Sequence, residues 1–116
     1  MLPRPHRLKA AIDFAAAVRR GSRAAAPSVV VHVRRRTNDD PPGVTRVGFV
    51  VSKKVGNAVT RNRVKRRLRH MTADLELHHP YDVVVRALPP AATEPERLAG
   101  DLDGAWRRAM KRVSSC

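Results

Sequence analysis

The sequence predicts an α/β (α+β) two-layer sandwich: one sheet with helices packed on it. Three observations carry that prediction. Short β-branched runs alternate with amphipathic stretches of helical period. Clusters of Pro, Gly, Asn and Asp separate them. The chain has 116 residues, 42% of them hydrophobic, which suits one compact domain over 1–116 with its own core.

The first expected helix runs from Arg7 to Arg20. Leu8, Ala11, Ile12, Ala15 and Val18 recur at helical spacing, and Gly21 stands where a helix stops. Phe14 falls off the centre of that stripe. Ser28 to Arg36 reads as a strand through Val29, Val30, Val31 and Val33. A turn follows over 37–43, where Asn38, Asp39, Asp40, Pro41, Pro42 and Gly43 cluster. Val44 to Ser52 is the next strand, and it is expected to pair with the first as a hairpin. Asn57 caps a helix that reaches about Leu77, with Val64, Leu68, Met71 and Leu75 facing the core. His78, His79 and Pro80 end it. Tyr81 to Leu88 is a buried strand through Val83, Val84 and Val85. Pro89 and Pro90 break the chain. Thr93 then opens a last helix, with Glu96 completing a capping box. Its stripe is Leu98, Leu102, Ala105, Trp106, Ala109 and Val113. The expected order is α-β-β-(β)-α-β-α. The bracketed strand is a short extra one that the sequence leaves open, with residues 23–27 as the candidate stretch.

Charge narrows the function. Lys plus Arg number 24 against 10 Asp plus Glu, a formal +14. Such an excess repels itself and points to a polyanionic partner. An anionic membrane is disfavoured, because a membrane-surface helix sets bulky apolar residues opposite its basic face. Aromatic residues are only 3% here. No apolar run approaches the roughly 20 residues of a membrane span, and no signal-peptide stretch follows the basic residues 1–7. The one cysteine, Cys116, excludes an internal disulfide. The expected location is the cytoplasm, and the free protein is expected to be a monomer.

The run Lys53 to His70, KKVGNAVTRNRVKRRLRH, holds eight Lys or Arg and no acid. The acid-free window extends from Pro41 to Ala73. A solvated helix normally mixes signs, since opposite charges four residues apart stabilise it. Here Arg61 and Lys65, and Lys65 and Arg69, are like-charge neighbours at that spacing. Phosphates would offset the repulsion. With Val64 at the centre of the core stripe and about 100° per residue, Arg69, Asn62 and Arg66 face solvent. Lys65 and Arg61 flank one edge; Arg63, Arg67 and His70 flank the other. Asn62 is a poor helix former that both donates and accepts hydrogen bonds. The turn at Gly56 and Asn57, preceded by Lys53 and Lys54, either seats a phosphate on a helix N-terminus or serves only as turn and cap. The residues leave both readings open.

The stretch RVGFVVSKKVGNAVTRNRVKRRLR, Arg46 to Arg69, resembles the signature of the bacterial ribonuclease P protein, with Arg61-Asn62-Arg63 matching its RNR motif. Arg7-Leu8-Lys9, Asp13-Phe14 and Gly21 resemble the family's opening helix, and Asp82 to Arg86 its later strand. The resemblance implies an α/β sandwich with a left-handed β-α-β crossover holding the motif helix. It implies a large catalytic RNA subunit as partner, with Mg²⁺ bound mainly by that RNA and the substrate. Together RNA and protein remove the 5′ leader of precursor tRNA. By the resemblance, Lys53, Lys54, Asn57, Arg61, Asn62, Arg63, Lys65, Arg66, Arg67 and Arg69 lie on the RNA-binding motif. A cleft between the first helix and the sheet takes the leader, with Phe14 and Val18 on it. Phe14 either stacks on a base or packs at the core edge. Val18 stands where many members carry a second aromatic.

The residues do not describe a protein nuclease. Metal-dependent cleavage needs clustered carboxylates, and the acids are scattered. His6, His32, His70, His78 and His79 show no partner for acid–base work. No zinc spacing or phosphate-loop glycine pattern is present. One rival is a structural, ribosomal-type RNA binder, which shares the charge logic but confers no processing. A second is a double-stranded DNA binder, for which no helix-turn-helix or dimer seam is visible. An RNA-recognition motif lacks its paired sheet aromatics.

Overall fold

The computed structural model describes residues 21–35, 46–73 and 81–114. The elements are β1 (Ser22–Ala25), β2 (Val29–Arg35), β3 (Arg46–Val51), α1 (Ala58–Ala73), β4 (Tyr81–Ala87), α2 (Pro90–Thr93) and α3 (Pro95–Ser114). The expected opening helix, the 37–43 turn, Leu75 and the His78-His79-Pro80 stop lie outside the described residues.

One four-stranded sheet has the order β1-β2-β4-β3. The extra strand is real. It precedes the other strands, at Ser22–Ala25, and pairs antiparallel with β2. The expected hairpin is not formed: β4 lies between β2 and β3, antiparallel to the first and parallel to the second. Burial explains the exchange. Residues 81–85 of β4 are buried without a break, on both faces, which suits a strand paired along both edges. β3 is only partly buried and takes the edge.

Alternation divides the sheet into two faces. Val29, Val31 and Val33, Val47 and Val51, Val83 and Val85 join Val64 and Leu68 of α1 and Leu98, Leu102 and Trp106 of α3 in one core. Helices therefore fill this face and make the second layer. α3 ties itself to the β1 edge as well: Ser22 Oγ donates to the Ala109 carbonyl at 2.7 Å, and Ser28 Oγ donates to Asp101 Oδ2 at 2.6 Å. Arg108 and Arg112, one turn apart, donate to the carbonyls of Ala25 and Arg23.

The other face carries three cross-strand rows: Arg23-His32-Val84-Gly48, Ala25-Val30-Arg86-Val50, and Arg34-Asp82-Arg46. In the last row Asp82 is fully buried. Arg46 Nε and Nη2 donate to its two oxygens at 2.8 and 2.9 Å, and Arg34 Nη2 donates to Oδ2 at 2.6 Å.

The last helix departs from expectation at its start. Thr93 ends the short helix α2 and does not cap α3. Glu94 breaks the helix with φ −130° and ψ 63°. The cause is Pro95, whose ring disfavours helical backbone in the residue before it and fits the first helical position. The apolar stripe is as expected, with Leu98, Leu102, Ala105, Trp106, Ala109 and Val113 all buried.

Removing a partner from a buried ion cluster strands the remaining charges. Asp82→Ala is expected to cost about 3–5 kcal/mol in urea unfolding. An unchanged midpoint would show that the cluster does not hold the sheet.

Candidate nucleic-acid interface

α1 begins where backbone and side chain cooperate. Val55 is buried and its N–H donates to the Ser52 carbonyl at 3.0 Å, closing the turn that carries Lys53 and Lys54. Asn57 Oδ1 accepts from the Thr60 N–H at 2.9 Å, the cap expected from the sequence. Gly56 is required by close approach: a Cβ there would lie 2.8 Å from Thr60 Cγ2 and 2.9 Å from Thr60 Cβ.

Val64, Leu68 and Thr72 are the buried residues of the helix. Thr72 was not among the expected core positions. Its hydroxyl is satisfied inside the helix by the Leu68 carbonyl at 2.9 Å, which makes a buried threonine tolerable. Met71 is half-buried against the core.

The rest of the helix faces outward. Lys53, Lys54, Asn57, Asn62, Arg63, Arg66 and Arg69 are exposed. Arg61, Lys65 and Arg67 are half-buried at the margins of the apolar seam. The expected faces thus hold: Asn62, Arg66 and Arg69 lie opposite Val64. None of the cations of α1 is ion-paired among the described residues. Arg61 Nε is buried and has no hydrogen-bond partner there either. The result is a ridge of uncompensated cations with an amide at its centre, on an element packed beside the β3 edge. Such a surface binds phosphates through guanidinium forks and has donor and acceptor atoms left for sugar or base.

Phe14 and Val18 lie outside the described residues. The sheet face opposite the helices adds residues that the sequence reading did not single out: Arg23, His32 and Arg86. His32 is buried between neighbouring strands, its Nδ1 without a partner among the described residues. Burial holds its imidazole below the usual histidine range, and the nearby Arg23 and Arg86 charges push the same way. The signal was present as strand parity. Val29, Val31 and Val33 share one face, so His32 had to share the other with Val30.

Among the described residues no group of three or more His, Cys, Asp or Glu is placed to hold a metal ion. No helix among them is long and apolar enough to cross a membrane.

Comparison with known proteins gives one family. The family model described as Ribonuclease P matches residues 2–110. A "Ribonuclease P protein component" of Kocuria rhizophila is 50% identical, over 98% of this chain and 100% of its own. One from Streptomyces bikiniensis is 52% identical, over 95% of this chain and 96% of its own. Among solved structures, the Staphylococcus aureus RNase P protein superposes with a TM-score of 0.77 at 28% identity, covering 93% of this chain and 96% of that one. The Thermotoga maritima RNase P protein gives 0.69 at 25% identity, covering 84% and 92%.

Two outcomes follow from the geometry. Arg66→Ala is expected to lower the log–log salt slope of RNA binding by about 0.7–0.9 with the fold intact. Leu68→Ala is expected to cost about 2–5 kcal/mol of stability. Identical behaviour of the two variants would overturn the assignment of helix faces. The second outcome concerns pH. Because the folded-state pKa of His32 is depressed, the unfolded chain binds the proton more readily. The stability that neutral His32 secures is therefore complete above about pH 6.5, the unfolded value, and is lost as pH falls through the folded value. His32→Phe is expected to unfold with a weaker loss between pH 7 and 5 than the parent. Parallel pH profiles would show that His32 titrates as freely when folded as when unfolded.

Proposed function

This chain belongs to the ribonuclease P protein family, and from that premise we propose that α1 is its face toward the catalytic RNA and the sheet face opposite the helices its path for the leader. The protein is the protein component of a ribonucleoprotein endonuclease. It works with the RNA subunit in removing the 5′ leader of precursor tRNA, and the active site belongs to that RNA.

The observation that carries the assignment of surfaces is the uncompensated cation ridge of α1. Arg61, Asn62, Arg63, Lys65, Arg66, Arg67 and Arg69, with Lys53, Lys54 and Asn57 at the helix start, neutralise phosphates of the RNA subunit. Counter-charge arriving from RNA removes the repulsion between Arg61, Lys65 and Arg69 that the protein alone leaves unbalanced.

The leader takes the other surface. The described helices pack on one face of the sheet, which leaves the other face for the leader. There Arg23 and Arg86 are exposed, around Val30, His32 and Val84, which are buried. This is a face suited to a single strand: Arg23 and Arg86 offer charge for its backbone, and exposed Ala25 and half-buried Val50 offer apolar surface. By the family resemblance Phe14 and Val18, outside the described residues, belong to the same path, with Val18 offering less stacking surface than an aromatic. Mg²⁺ is held mainly by the RNA and the substrate, and by lowering phosphate repulsion the protein reduces the Mg²⁺ that cleavage requires. Both surfaces belong to one domain, and it works in the cytoplasm.

Reconstitution tests the reading. With a bacterial ribonuclease P RNA at low Mg²⁺, the protein is expected to stimulate 5′ cleavage of precursor tRNA strongly. Replacing Arg61, Asn62 and Arg63 together by Ala should abolish the stimulation. Tight RNA binding with no stimulation would favour the structural RNA binder instead.

A further inference from the structure

Among the described residues the one exposed large hydrophobic side chain is Val59, at 67% exposure. Isolated exposed valines are common on proteins and need no explanation by themselves. The placement of this one calls for one. It lies in the first turn of α1, three residues before Asn62, four before Arg63 and seven before Arg66. At about 100° per residue it points roughly 140° away from the Val64 direction, so it shares the outward face with those three residues. Nothing among the described residues covers it. A β-branched residue also gains nothing at an exposed helix position, where Ala or Lys forms helix better.

We infer that Val59 contacts the RNA subunit directly, its two methyl groups packing on ribose carbon or a base face beside the phosphates held by Arg63 and Arg66. The inference rests on α1 being the face toward the catalytic RNA. The chemistry is complementary. Guanidinium groups hold phosphates at a distance set by hydrogen bonds, and they are indifferent to what lies between two phosphates. An apolar knob among them fits only where the RNA presents carbon. Asn62, an uncharged polar group of the outward face, can bond a ribose hydroxyl or base edge next to it. Val59 and Asn62 thus give the ridge a register on the RNA that charge alone lacks. The Val59 contact is apolar, so it releases no counterions and its contribution does not change with salt.

That property separates it from every cation around it. Assembly of the full-length protein with a bacterial ribonuclease P RNA is measured across a range of salt concentrations for Val59→Ala, the isosteric Val59→Thr and Arg66→Ala. Both Val59 variants are expected to bind more weakly at every salt, Val59→Ala by roughly 3- to 15-fold, on lines parallel to the parent. Unfolding stability should be unchanged or slightly raised for Val59→Ala, so a folding defect cannot produce the loss. Arg66→Ala should flatten the slope. Parent-like affinity of the Val59 variants, with a flattened Arg66→Ala line, would overturn the inference while leaving the RNA face standing. An unaltered Arg66→Ala line would overturn the RNA face itself. Unchanged assembly with weakened precursor-tRNA binding by the holoenzyme would also overturn the inference, by assigning the contact to the substrate.

Discussion

One buried carboxylate fixes the frame on which the rest is built. Asp82 sits directly across from Arg34 on one side and Arg46 on the other, in three adjacent strands. A buried carboxylate costs several kcal/mol in lost hydration unless it is paired and fully hydrogen-bonded. The two-pronged bond from Arg46 and the single bond from Arg34 meet that demand. They also set the register of both pairings at once. A slip of one residue would break the cluster and turn every valine of β4 to the wrong face. With β2 and β3 side by side, as a hairpin would place them, the two arginines would stand near each other with no acid between. The acid in β4 favours its insertion there. A parallel neighbour for β3 then requires a crossover, and α1 is that connection.

The motif helix therefore depends on the sheet for its existence. Alone, it would carry its cations at repelling intervals with no acid to relieve them. The protein holds it by means that do not involve charge: a turn closed on buried Val55, the Asn57 cap, the glycine that lets Thr60 approach, and the seam of Val64, Leu68 and Thr72. Each contribution is modest, of the order of 1 kcal/mol for a cap and a few for a buried leucine. Together they fix the helix backbone and aim the cations outward before any partner binds, so that only the long side chains are left to order.

The parts of this architecture that were legible in the sequence are those written locally. The seam of α1 follows from a period of three and four residues, its start from Asn57, and the stripe of α3 from Leu98 to Val113. Strand order was not legible, because it depends on a pairing between residues 34, 46 and 82 that no local window contains. The start of α3 was misread for a different reason. Thr93 and Glu96 fit a capping box, but Pro95 constrains the backbone of Glu94 more strongly than a side-chain cap favours Thr93. His32 was hidden in a run of valines whose alternation places it on the opposite face. The motif helix was read correctly in its faces because helical geometry alone decides them.

The distribution of acids explains why the protein can lend charge to an RNA enzyme without competing with it chemically. Asp82 is committed to two arginines, Asp101 to the backbone and hydroxyl of Ser28, and Asp103 and Glu94 to neighbouring arginines. Asp82 and Asp101 tighten the scaffold, whereas the exposed pairs of Glu94 and Asp103 add little, and all four lie in β4 or after it. None lies on α1. A carboxylate on that helix would pair with an arginine four residues away and withdraw it from any anionic partner. Separating the two kinds of charge lets the buried acids support the sheet and leaves the cations of α1 without an ion pair among the described residues. The net charge of +14 is thus the residue of a division of labour within one sheet-and-helix frame.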